Sequence, residues 1–582
     1  MTPVEASARS EAEPSPRWLK SYPQNVEWRQ KFTPHPLYAL LDQAVARFGT
    51  NTATNFLGRT MTYSEIGRLV ELAAAGLQRL GVRKGTKVGL LLPNSPTFII
   101  YYFATLKAGG IVVNYNPLYT VEELKFQVKD SETEIIVTLD LKLLFDKAEA
   151  LLKDGVLKQV VVASFASLLP GTKSVLFRLF KGRELAHPMS SPVKDRIVLE
   201  GQVLADHGLR TPFPIDPEND IAVLQYTGGT TGTPKGAMLT HANVYINVLQ
   251  VIDWAPELLD GKEKVMGVLP FFHVFAMTVV MNFGVAKAAE IIIVPRFVLD
   301  DALKLINQIR PTVMPGVPTL FNAIMNHPKI KSYDLSSLKF CLSGGAPLPT
   351  EVKQRFESLT GCKVVEGYGL SETSPVVTCN PIHGPVKTGM IGIPLPATFV
   401  SLRDLDDPDK EVPQGEKGEV CIKGPQVMKG YWKREKETAQ IFTSDGFLRT
   451  GDVARMDDDG FFAIEDRIKD LIICSGYNVY PRMIEERIYE HPAVEEVTVI
   501  GVKDPYRGEA PKAFIKLKAG ATATADDIMT YLEKYLSKIE LPAAIEFRDS
   551  LPKTMIGKLS KKELKQEEAL RAEEADKSGS RG

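Results

Sequence analysis

From Leu37 onward the apolar positions follow two alternating rhythms. LYALLDQAVARFG has helical spacing, TNFLG and MTY are short strands closing a hairpin, and EIGRLVELAAAGLQRLG is a helix stopping at Gly81. KVGLLLPN is a continuous apolar run of the kind a fully buried strand needs, TFIIYYFATLKAGG is the next helix, and IVVNYN, EIIVTLD and KQVVVA repeat the strand rhythm. GVLPFFHVFAMT, EIIIVPRF, TVMPGVPTL and KFCLSGGAPLP continue it. Strands spaced by helices predict parallel sheets with crossover helices. Beyond about residue 385 the strands shorten and Asp- and Gly-rich turns separate them, as in GEVCIKG and DGFFAIEDR. After Leu471 the pattern becomes a compact α+β unit, with IEERIYEHP and ADDIMTYLEKYLS as helices and VEEVTVIGV and PKAFIKL as strands.

The expected fold class is therefore α/β. A large N-terminal domain of parallel sheets with crossover helices spans 26–468, including a β-rich subdomain over about 385–468. A small mobile α+β domain follows over 469–570, with disordered tails at 1–25 and 571–582. At 582 residues the chain exceeds what one core can serve. A net charge of −1 offers no basic field for nucleic acid. Five cysteines without CxxC spacing fit free thiols in a reducing compartment, and no HExxH is present. The N-terminus lacks the apolar core of a secretory signal, and no run is long enough to span a bilayer. These features place the protein in the cytoplasm. The mixed basic and apolar segment 164–183, SFASLLPGTKSVLFRLFKGR, allows peripheral contact with the inner face of the membrane, although the same stripe also suits a helix packed on the domain.

The densest chemistry lies in YTGGTTGTPKGAMLTH, 226–241. Glycines let backbone amides close around phosphate oxygens, threonines add hydroxyls, and Lys235 adds a mobile cation. Gly rather than Ser or Thr follows Lys235, which sets the motif apart from the P-loop. SGGAPLP (343–349) is a second glycine turn after a strand. EGYGLSET (366–373) offers the aromatic face of Tyr368, the hydroxyl of Ser371 and the carboxylate of Glu372, a natural Mg²⁺ ligand. Asp452 on a tight turn suits ribose hydroxyls, and Arg467 can donate to sugar or phosphate. Lys558, in PKTMIGK, can offset charge on a transferring group. Taken singly, each motif also fits a solvated turn.

The ordered set resembles the adenylate-forming superfamily of acyl-CoA synthetases, peptide adenylation domains and luciferases over roughly 30–570, and most closely its bacterial fatty acyl-CoA ligases. LPFFHVFAMT and NYNPLYT add to that likeness. The resemblance implies ATP, Mg²⁺ and coenzyme A as cofactors and a fatty acid as substrate. It implies that Thr227, Gly228, Gly229, Thr230, Thr231, Gly232 and Lys235 hold the β- and γ-phosphates, with Thr227 and Glu372 on the metal. Gly345, Ala346 and Tyr368 would sandwich adenine, Glu366 and Gly367 would lie at its edge, and Ser371 would reach the α-phosphate. Asp452 and Arg467 would take the ribose, and Lys558 would bridge the attacking carboxylate and the α-phosphate. Lys469 would be the hinge, Gly476 would line the pantetheine path, and His273 would be a ring that shifts between steps.

Met277 stands where some long-chain members gate the acyl tunnel with Trp. The context of Lys558 also resembles sites modified by lysine acetyltransferases. Alternatives within the class are a dicarboxylic acid, for which Lys287 and Arg296 are available cations, and an aromatic acid. Luciferase-like oxidation and an assembly-line adenylation module are more distant; no carrier domain follows residue 570.

Overall fold

The computed structural model describes residues 16–579, apart from 206–207, 209, 228–233, 476, 505 and 555–556. Two large sheets carry the first two-thirds of the chain. In one, the strands Lys87–Leu90, Ile111–Asn114, Ile135–Leu139, Gln159–Ala163, Ile197–Leu199 and Ile221–Thr227 run parallel, and Lys235–Thr240 closes an edge antiparallel. The other holds parallel strands Thr52–Phe56, Glu290–Ile293, Lys264–Gly267, Val313–Gly316, Phe340–Gly344 and Lys363–Gly369, with antiparallel strands at both edges.

The continuous apolar runs follow from burial on both faces of these strands. Val112 joins the main core while its neighbours Ile111 and Val113 join the core on the opposite face, the two-residue period of a pleated strand. The helix Pro96–Lys107 has all twelve residues buried, which accounts for its apolar sequence all round. Ser95 caps it by accepting from the Phe98 amide, and Pro96 supplies a preset first turn.

Beyond these sheets, Phe399–Arg403, Gly418–Lys423, Leu448–Met456 and Phe462–Arg467 form a four-stranded antiparallel sheet. A five-stranded sheet follows, built on the long pair Val494–Asp504 and Gly508–Leu517. The helices Pro481–Tyr489 and Ala525–Leu532 cover it with Ile484, Ile488, Ile528 and Leu532.

Lys235–Thr240 pairs antiparallel with Ile221–Thr227 and runs into the helix His241–Trp254. Two expectations need correction. Residues 17–21 are not a disordered tail. They form a 3₁₀ turn whose Trp18 is 6% exposed, packed edge-on against Trp28 and against Phe462, because burying two indoles outweighs the ordering entropy of a short polar segment. At the other end the helix Lys561–Gly579 runs past residue 570, held by Leu564 in a small core and by Arg571 between Glu546 and Glu568. Among the described residues, no helix is long and apolar enough to cross a membrane.

Candidate active site

The strand Ile221–Thr227 brings Thr227 opposite Lys235, its cross-strand partner, so the two ends of the glycine loop are fixed together. Gly228, Gly229, Thr230, Thr231 and Gly232 lie outside the described residues. The strand is anchored just before the loop. The Tyr226 hydroxyl donates to Asp130 Oδ2 at 2.6 Å, and the Gln225 amide donates to the Phe272 carbonyl at 3.0 Å while accepting from Asn114. The Phe272 bond places His273 beside the same strand.

A residue that sequence reasoning passed over joins this end to Glu372. Tyr431 Oη donates to Glu372 Oε1 at 2.7 Å, and Lys235 Nζ stands 5.4 Å from the centre of the Tyr431 ring. The Glu372 carbonyl accepts from the Met428 amide at 2.8 Å. Thr227, Lys235, Tyr431 and Glu372 are thus linked in one chain of contacts. The only signal in the sequence was the aromatic pair Tyr431-Trp432, some 60 residues from its partner, a separation of 59.

The second end gathers around Asp452, which is 3% exposed. Tyr368 Oη donates to Asp452 Oδ2 at 2.6 Å, and Arg467 Nε lies 3.1 Å from Oδ1. Asp452 and Arg467 are paired across adjacent strands. The parallel register of Phe340–Gly344 with Lys363–Gly369 sets Gly344 beside Gly367, which brings Gly345 and Ala346 to the end of the strand carrying Tyr368. Glu366 stands on the strand beside Tyr368 with its carboxyl turned into the protein. It is buried, one carboxyl oxygen accepts from the Leu348 amide at 3.3 Å, and burial pushes its pKa up to about 7 against the pull of Arg482 and Lys353.

Lys558 arrives at this end from the last domain. A Cβ built on Gly345 would stand 2.5 Å from Lys558 Cε, so the lysine stem needs glycine there. Burial, then the nearby Arg467 cation, brings the Lys558 pKa down to about 8, with Asp452 opposing. Burial and Lys558 together hold His273 down at about 3, keeping its ring neutral. The loop is docked by Thr319, whose hydroxyl donates to the Gly557 carbonyl at 2.7 Å; Gly557 has φ +81°, a conformation glycine adopts without strain. Lys469 sits in the 3₁₀ turn Ile468–Asp470 directly after Arg467, where Asp470 accepts from Lys565 at 2.7 Å. Gly476 lies outside the described residues.

Behind the strand Phe340–Gly344 lies an apolar cavity lined by Trp254, Val279, Phe283, Leu342, Val376 and Cys379 among others. Fully buried Met277 opens the π-helical stretch Met277–Asn282 that supplies Val279, and it accepts from Asn114 through sulfur at 3.4 Å. The two cations considered for a second carboxylate are elsewhere. Lys287 is paired with Asp260 at 2.7 Å and Arg296 is exposed.

The AMP-binding enzyme family matches residues 41–432, and its C-terminal domain family matches 483–558. The chain belongs to this family. Among curated AMP-binding relatives, the long-chain-fatty-acid–CoA ligase of Bacillus subtilis is 44% identical over 551 residues, covering 95% of this chain and 98% of the relative. The ligase of the same description from Escherichia coli O6:H1 is 37% identical over 564 residues, covering 94% and 98%. Among solved family structures, ATP-bound MatB from Rhodopseudomonas palustris superimposes with a TM-score of 0.80 at 29% identity, covering 92% of this chain and 99% of that one.

Proposed function

We propose that the chain is an AMP-forming fatty acyl-CoA synthetase for medium- or long-chain acids. The position of Lys558 carries this reading. A cation from the last domain stands over Gly345, between the Asp452–Arg467 pair and His273, where the α-phosphate of a nucleotide spanning the two ends of the site would lie. The relatives named long-chain-fatty-acid–CoA ligase supply the acid class.

In the first step the fatty carboxylate oxygen attacks the α-phosphorus of ATP, and the bond to the pyrophosphate oxygen breaks. Lys558 offsets charge on the carboxylate and α-phosphate, aided by Ser371, while Thr227, the glycine loop and Lys235 hold the outgoing phosphates. Tyr368, Gly345 and Ala346 enclose adenine, with the backbone of Glu366 and Gly367 at its edge, and Asp452 with Arg467 fixes the ribose. The Glu372 carboxylate and Thr227 hydroxyl are hard oxygen donors suited to Mg²⁺, which when bound neutralises phosphate charge. Tyr431 occupies one Glu372 oxygen and aims the other. In the second step the domain over 469–570 turns about Lys469, withdrawing Lys558 and bringing Gly476 toward the pantetheine arm. The CoA thiolate then attacks the acyl carbon and AMP leaves. Neutral His273 moves aside between the steps.

Acetylation of Lys558 would remove the charge the first step needs. Peripheral placement at the inner face of a membrane fits an amphiphilic substrate. A dicarboxylate is disfavoured because the two cations considered for its second carboxylate are not available together, Lys287 being paired with Asp260 and Arg296 exposed. Pyrophosphate release measured from acetate to stearate, with adipate and benzoate beside them, tests the reading. The rate should rise with alkyl length into the long-chain range; a maximum on adipate or benzoate would refute it.

A further inference from the structure

The helix Gly171–Lys181 has no buried residue. Only Ser174 and Phe177 turn partly inward, Phe177 meeting Phe165 at 5.1 Å between ring centres. On the outside, Val175 is 58%, Leu176 52%, Leu179 73% and Phe180 82% exposed. At helical spacing these four occupy a continuous arc of about 140°, and the arc faces solvent rather than the core. Lys173 flanks it on one side and Arg178 on the other, with Arg183 and Lys181 at the end of the helix, the latter paired with Glu184 at 3.2 Å and the rim remaining net positive. An apolar face of this extent rimmed by cations is uncommon on a soluble surface without a partner.

We infer that this helix seats the enzyme on an anionic lipid surface. Charge decides the occupant. A second copy meeting the same face by two-fold symmetry would set these cations against one another. A bilayer of anionic headgroups accepts the apolar side chains beneath the headgroups and the cations among them. Arg178 has a stem long enough to stay at headgroup level while the arc sinks below.

The attachment belongs entirely to the N-terminal body. Lys173 Nζ donates to the Leu57 carbonyl at 2.7 Å, Arg59 bonds the Ser167 carbonyl, and the helix packs on the turns Ala166–Leu168 and Gly182–Glu184. A protein held this way leaves the Lys558 domain free to move, and it meets its acid where such acids partition. The inference does not depend on the chemistry assigned to the nucleotide site.

Sedimentation of the full chain with phosphatidylglycerol and with phosphatidylcholine vesicles tests it. The wild type should bind phosphatidylglycerol vesicles, and the binding should fall as salt rises. Leu179→Glu with Phe180→Glu should lower the partition coefficient about tenfold or more, with the melting temperature and activity on detergent-dispersed acid unchanged. Arg178→Glu with Lys181→Glu should weaken binding to phosphatidylglycerol alone. If the apolar pair lowers the melting temperature, Phe180→Ser at the most exposed position carries the test. Three results would overturn the inference: no binding by the wild type, equal binding by the apolar-face variants, or a solution dimer that those variants dissolve.

Discussion

The two ends of the site are built in opposite ways. The phosphate end is one piece: Thr227, Lys235, Glu372 and Tyr431 all precede residue 432, and strand pairing plus a 2.7 Å hydrogen bond fix them. The lysine end is assembled from distant parts. Lys558 is delivered by a loop of the last domain, which Thr319 holds through one hydrogen bond to the Gly557 carbonyl. A fixed end suits binding of the triphosphate, which precedes both half-reactions. A detachable end suits a group needed in only one of them.

The largest effect should come from removing the delivered group. Lys558→Ala should slow acyl-adenylate formation by about 10² to 10³-fold and leave thioester formation from supplied acyl-adenylate intact. Equal losses in the two half-reactions would erase the contrast between the ends. Glu372→Gln probes the fixed end. It should cost about tenfold to 10²-fold at limiting Mg²⁺ and less when Mg²⁺ is abundant; activity indifferent to Mg²⁺ concentration would remove the carboxylate from that role.

Thr319→Val sharpens the contrast without touching substrate. Loss of the latch should slow adenylation by about fivefold, in line with one hydrogen bond of roughly 1 kcal/mol, and spare the second half-reaction. A matching loss in both would show Thr319 to be merely structural.

The last effect is thermodynamic. The Glu366 carboxyl titrates near 7 in the folded chain against its ordinary 4.5. Between those values the folded protein keeps a proton that the unfolded chain has released, so stability falls as pH rises through the window. Glu366→Gln should abolish that slope, gaining roughly 3 kcal/mol at pH 8, and match the wild type in acid. Identical melting profiles across pH would exclude it.

The motif residues were legible because backbone demands and chemistry coincide there. Gly345 must lack a side chain where Lys558 passes, and the EGYGLSET run keeps Tyr368 and Glu372 on one short segment. The parallel sheets were legible because strands buried on both faces leave unbroken apolar runs. What escaped depends on tertiary pairing. KGAMLT has no clear strand pattern, and it becomes one only because Ile221–Thr227 offers it an edge. Tyr431 and Thr319 acquire their places from partners 59 and 238 residues away. Lys287 is available to a substrate in the sequence and spent on Asp260 in the fold. Segment 164–183 reads as either a core helix or a surface one, and the structure divides it: Phe165 and Phe177 face inward, Leu179 and Phe180 outward.

The depressed Lys558 pKa has a consequence for ligand binding itself. Near pH 8 a sizeable share of the docked lysines carry no proton, because Arg467 and burial disfavour the charge. A polyphosphate settling beside them reverses that balance and restores the cation. With Lys558 against the phosphates as proposed, nucleotide binding in this domain arrangement is expected to take up protons and to weaken as alkalinity rises. Calorimetric titration in buffers of different ionisation enthalpy would read the uptake directly as a buffer-dependent heat, absent in Lys558→Ala.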